Sequence, residues 1–290
     1  MILFCAIAAA SSPEPVYSWV HISEVVGRRL PADPLERRRV IEEKLQTASG
    51  HRRGRLLRES SDLLVATSDK LWFEELRRVD ESWALGDAFE LETEAADALR
   101  DEALRRYERS IELGGRGVAA ARLAAGLIRR ERRELPAARA HLASVVDGHA
   151  PRRLRRTAAV ELGELEYDAG DVDSALRAYG EAAVLSGADD LQAYASYRVG
   201  WCQFTLGDLE AARASLIRAS RGSRDQALAV EARRDAIRVA AQIGVADALE
   251  VVDRLCEDDA CVSEERERLA DVLDDGGRGE AAEEVRALDR

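Results

Sequence analysis

One spacing constrains this chain more than any other feature. Glycines recur at Gly126, Gly163 and Gly200, each 37 residues from the next, and Gly170, Gly207 and Gly244 keep the same step. Ala138, Ala175 and Ala212 form a third ladder of that period, so the chain carries an internal repeat. Within one period, apolar residues run at helical spacing on both sides of a Gly-Asp pair. Val160, Leu162, Leu165 and Tyr167 precede Gly170-Asp171, and Ala175, Leu176, Tyr179 and Ala182 follow it. The unit reads as helix, turn, helix. The glycine supplies a left-handed residue at the end of the first helix, and the aspartate accepts hydrogen bonds from free amides opening the second. Gly163 and Gly200 fall inside the first helix, where glycine costs about 1 kcal/mol relative to alanine. A close approach of two helices compensates, and Ala175 and Ala212 are the expected facing residues.

These residues resemble the tetratricopeptide repeat, whose unit carries Leu-Gly in its first helix, a Gly-Asp turn, then alanine, a large residue and alanine. Leu162-Gly163, Gly170-Asp171, Ala175, Tyr179 and Ala182 follow that order, and so do Val199-Gly200, Gly207-Asp208, Ala212, Leu216 and Ala219. A third unit has Ala125-Gly126, Ala138 and Leu142, but Arg133 and Glu134 stand where Gly-Asp belongs. The resemblance implies an all-α fold, a right-handed superhelical α-solenoid of antiparallel helix pairs. Its clearest repeats would cover residues 119–155, 156–192 and 193–229, with weaker ones at 82–118, 230–261 and 262–290. The solenoid would then occupy residues 81–290, and its 37-residue unit is three longer than the common one, as in several bacterial envelope members of the family.

Residues 1–80 follow other rules. The apolar run at residues 2–10, ILFCAIAAA, followed by SSPEP, reads as a signal peptide over residues 1–12. No lysine or arginine precedes it, which leaves a cytoplasmic N-terminus as the alternative. A lipoprotein reading through Cys5 fails on Phe4. Nowhere else does the sequence approach the roughly 20 apolar residues that cross a bilayer. Residues 13–80 read as a helical cap. Asp33-Pro34-Leu35-Glu36 has the form of a helix start, giving a helix from Pro34 to about Ala48, and Ser60 or Ser61 is expected to open another.

Charge bears on partners. Residues 122–156 hold ten arginines against three acids, whereas 247–290 hold sixteen acids against six arginines. Of 43 basic residues 41 are arginine and asparagine is absent, so most of the arginine is read as solvated helix surface reflecting coding bias. With a net charge of −12 and no base-stacking module, nucleic acid is not an expected partner. The family branch that clamps a C-terminal carboxylate needs groove asparagines and is excluded. His21, His51, His141 and His149 lie in separate segments, and no phosphate loop, metal-binding or nucleophile motif appears. The expectation is no catalysis, no cofactor and no metal.

Binding to a protein or peptide remains. Tyr194, Tyr197, Trp201 and Phe204 step by three, four and three, forming one stripe on a first helix. In the family resembled, first helices line the groove that holds a partner, which makes these four candidate groove residues, with Tyr167 on the preceding wall and Arg234 and Arg238 on the following one. The same rings could instead pack between helices, and self-association would use such surfaces equally well. Cys256 and Cys261 flank EDDA in an inter-helix loop and are read either as a disulfide or as two thiols, zinc being disfavoured for want of a second ligand pair. Cys202 reads as a small apolar core residue. The expected function is a non-enzymatic scaffold of a bacterial envelope, the alternative a cytoplasmic regulatory repeat protein sensing a peptide or controlling a partner's activity.

Overall fold

The computed structural model describes residues 34–85, 93–185 and 190–288; the signal-peptide reading and Asp33 lie outside them. Every regular element among the described residues is an α-helix. Contacts divide the chain into two compact units, residues 1–133 and 134–290.

The first unit contains α1 (Pro34–Thr47), α2 (Gly50–Leu85), α3 (Glu94–Leu113) and α4 (Val118–Glu131). Helix α1 ends where the sequence places it, before Gly50, whose φ of 51° is left-handed. Ile41, Leu45 and Ala48 pack there on Leu56, Leu57 and Leu63 of α2. The expected start at Ser60 or Ser61 is overturned, because α2 runs through both without a break. Ser61 Oγ donates to the Leu57 carbonyl at 2.9 Å, and Ser60 Oγ accepts from Arg106 Nη1 at 2.6 Å. Each hydroxyl thus finds a partner without leaving the helix, so neither serves as a cap. Buried polar contacts join α2 to α3. Tyr107 Oη donates to Asp62 at 2.9 Å, Ser110 Oγ to the Gly54 carbonyl at 2.7 Å, and Ser68 Oγ to the Ala96 carbonyl at 2.8 Å.

The second unit contains α5 (Leu135–Val146), α6 (Arg152–Asp168), α7 (Val172–Val184), α8 (Asp190–Thr205), α9 (Leu209–Gly222), α10 (Gln226–Ile243), α11 (Val245–Leu255), α12 (Asp259–Asp275) and α13 (Gly279–Ala287). From α5 to α11, and again from α12 to α13, each helix packs on the next, and first helices α6, α8, α10 and α12 also touch in sequence. This is an α-solenoid of antiparallel pairs, in which side-by-side first helices make one wall.

The turn between paired helices has the geometry its residues require. Gly170, Gly207 and Gly277 adopt φ of 80°, 84° and 72°, and the amide of the residue after each reaches back five residues, as in Asp171 N–H to the Glu166 carbonyl at 2.9 Å. This is the Schellman closure, which satisfies carbonyls that a helix end leaves free. Asp171 and Asp208 then accept from the amides of Ser174 and Ala211 at 3.0 and 3.1 Å. In the first unit Arg133, at the position of the missing glycine, takes φ of 61°, and it is the one non-glycine residue with positive φ among those described. Gly244 departs from its ladder, since its φ of −173° is ordinary extended backbone. There α10 passes into α11 through that one residue, and the next glycine turn follows 33 residues later instead of 37.

Glycines 163 and 200 do mark close approaches, but the facing residue differs from expectation. A β-carbon on Gly163 would lie 2.6 Å from the Tyr179 ring, and one on Gly200 would lie 2.7 Å from Leu216 Cγ. The large residue one turn beyond each alanine fills the space, while Ala212 approaches Gly200 through its carbonyl at 3.3 Å.

Candidate partner-binding site

The aromatic stripe on α8 lies mostly inside the wall. Tyr194 and Tyr197 are each 3% exposed and Trp201 is 9% exposed, leaving Phe204 as the half-buried member. Trp201 meets Tyr197 and Phe204 edge to face, with centroids 6.4 and 5.7 Å apart. Two buried networks account for the polar ends of the tyrosines.

The first network joins α6, α7 and α8 around Arg198. Its Nε donates to the Tyr179 hydroxyl at 3.0 Å and its Nη2 to Glu164 Oε2 at 3.2 Å, while Tyr194 donates to Glu164 Oε1 at 2.8 Å. The guanidinium also lies over the half-buried ring of Tyr167, 4.4 Å from its centroid. Burial, and then the Glu164 charge, push the Tyr179 and Tyr194 hydroxyls far above the usual tyrosine range, so both remain protonated.

The second network joins α8 to α10. Tyr197 donates to Asp235 Oδ2 at 2.7 Å, and Arg238 Nη1 to Oδ1 at 2.8 Å. Trp201 Nε1 is buried without a well-formed hydrogen bond, though its proximity still helps hold the Asp235 carboxyl down. Desolvation outweighs these partners and raises Asp235 to about 6. A carboxyl raised on folding stabilises the fold below its unfolded pKa, near 4, and that contribution is lost as pH rises through 6. Asp235→Asn should therefore gain about 2 kcal/mol relative to the native chain between pH 4.5 and pH 7, from one unit of pKa being worth about 1.4 kcal/mol. Urea unfolding of both proteins at the two pH values measures this, and a pH-independent difference would refute it.

Beyond the second network a cleft of about 220 Å³ opens between α10 and α12. Ile237, Leu269 and Val272 supply its apolar surface, with Arg234, Arg238 and Arg268 around them. Ile237 and Leu269 are buried, whereas Val272, Arg238 and Arg268 are exposed. Glu265 on the α12 side is buried and bound by Arg233 at 3.1 Å, with Arg234 more distant at 3.9 Å. Arg268 pairs on its own helix with Glu264 at 2.5 Å. Asp271 completes the lining, so the cleft joins an apolar surface to three guanidinium groups that each already have a carboxylate within 4 Å.

Of the residues singled out from sequence, Arg234 and Arg238 line this cleft, Tyr197 reaches Asp235 on α10 with Trp201 packed on its ring, Tyr194 turns the other way to Glu164 on α6, and Tyr167 lies against Arg198. Glu164, Arg198 and Asp235 went unread, although Arg198 and Asp235 stand one 37-residue step apart on the wall. Arg268, Leu269 and Val272 were missed because the step shortens to 33 ahead of α12. Cys256 and Cys261 are joined as a disulfide, with Cα atoms 5.4 Å apart. Cys202 is buried in α8, and burial pushes its thiol up to about 12. Among the described residues no cluster of three or more His, Cys, Asp or Glu side chains is placed to hold a metal ion, and no helix is long and apolar enough to cross a membrane.

Fold and wall together define an α-solenoid of antiparallel helix pairs. No protein-family model matches the chain, and no curated protein matches it. Among solved structures it is similar to one described as "Crystal structure of MamA", at 17% identity and a TM-score of 0.41, over 56% of this chain and 90% of that one. An overlap that loose carries no function across.

Proposed function

We propose that this chain is a non-enzymatic scaffold that holds a peptide segment of a partner protein in the α10–α12 cleft. The observation that carries the reading is the cleft itself, an apolar surface ringed by three arginines and two carboxylates on the wall of first helices. The buried stripe supports that wall, and Phe204 and Tyr167 are its half-buried aromatic members. Selection of displayed random dodecapeptides on the full chain, followed by calorimetric titration of the strongest, tests it. Arg268→Glu should weaken that peptide at least tenfold, whereas Arg177→Glu on exposed α7 surface should not. Equal effects of the two reversals, or failure to select any peptide, would overturn the reading.

A seat in a bacterial envelope belongs to the same proposal. The apolar run at residues 2–10 supports it, and so does the disulfide, a bond that persists mainly in oxidising compartments. Secretion of a reporter fused to residues 1–20 tests that part, and retention in the cytoplasm would favour the regulatory alternative.

A further inference from the structure

Helix α12 supplies one side of the cleft, and the chain enters it through the disulfide. Cys256 is the residue that closes α11, and Cys261 is the third residue of α12. The four residues between them are exposed, and both cysteines are half-buried. Apart from the bond, α12 is held to the preceding pair by a modest set of contacts. Leu269, Ala270 and Leu273 are buried, Glu265 accepts from Arg233, and Arg266 reaches Asp253 at 3.4 Å. From the following turn, Arg278 donates to the Ala241 carbonyl at 2.7 Å. Its packing on α10 and α11 is lighter than that of any successive pair from α5 to α11. A covalent closure at this junction therefore matters more to α12 than it would elsewhere in the unit.

We propose that the Cys256–Cys261 disulfide is a redox-operated latch on the cleft. Oxidised, it fixes the start of α12 beside the end of α11 and keeps Arg268, Leu269 and Val272 opposite Arg234 and Ile237. Reduced, it releases α12 and loosens that side. A dithiol is the reductant. One of its thiolates attacks the Cys256 sulfur, and the sulfur–sulfur bond breaks with its electron pair leaving on Cys261. The second thiolate of the reductant then attacks the mixed disulfide and releases Cys256. Two electrons pass to the cysteines, two protons from the reductant end on them, and the reductant leaves as its own disulfide. The latch rests on the cleft being the docking site, because only then does the mobility of α12 bear on a partner.

Amide hydrogen exchange on the full chain, oxidised and then reduced with dithiothreitol, tests the latch without any ligand. Exchange across residues 259–275 should rise at least tenfold on reduction while residues 152–168 and 190–205 stay unchanged, and the Cys256→Ser/Cys261→Ser protein should match the reduced chain. Exchange in α12 equal within twofold in both states would overturn the latch, even if the selected dodecapeptide binds well. Absence of peptide binding in both redox states with a clear exchange difference would instead remove the docking reading and leave the redox response of α12 standing.

Discussion

Arg198→Ala is expected to lower the free energy of unfolding by about 3–5 kcal/mol, the usual cost of stripping one partner from a buried ion pair. The Arg198 and Glu164 side chains are only 6% and 8% exposed. Without the guanidinium, Glu164 keeps Tyr194 as a donor but loses its counter-charge, and the Tyr179 hydroxyl loses the donor at its oxygen. Replacing both charges by apolar residues of similar size, as in Arg198→Met with Glu164→Leu, should restore much of the loss, because neither buried charge then remains unpaired. Equilibrium urea unfolding of the three proteins decides the matter. A single-variant loss under 1 kcal/mol would mean that water reaches Glu164 and that the network is not closed.

Gly163→Ala follows, with an expected destabilisation of about 2–3 kcal/mol, the upper range for forcing one extra carbon into a packed site. On an open helix the same change would gain about 1 kcal/mol. Here the added carbon would sit 2.6 Å from a ring that is fully buried and whose hydroxyl is held by Arg198, so the ring has nowhere to go. Gly180→Ala on α7, where an added carbon would meet nothing within 4 Å, serves as the control and should be neutral or stabilising. Thermal melts of both variants separate the two outcomes, and a stabilised Gly163→Ala would sink the close-approach argument.

Much of this fold was legible because its signal is local and repeated. A glycine that must be left-handed, and an aspartate that caps the amide three residues on, impose residue types at fixed spacing, as at Gly170-Asp171 and Gly207-Asp208. The same logic failed at Gly244, where glycine is not required by the backbone it adopts, and at Ser60 and Ser61, whose hydroxyls bond within the helix or to α3. Tyr194, Tyr197 and Trp201 lie together on α8, but spacing alone does not say which neighbouring helix each ring meets. The burial of these rings depends on Glu164 and Asp235, 30 and 38 residues away from their tyrosine partners, and on helices whose lateral contact is a tertiary fact. The cleft was half visible, through Arg234 and Arg238, and its other half was hidden by the shortened step before α12.

The pattern in which helices of the second unit touch mainly those next to them along the chain has a consequence for how heat takes that unit apart. Cooperativity there is carried by a series of neighbour-to-neighbour couplings, so a weak coupling divides melting into stages instead of merely lowering one midpoint. The lightly packed junction ahead of α12 is where such a division falls, and the heat absorbed by the whole unit then exceeds the value implied by the sharpness of any single transition.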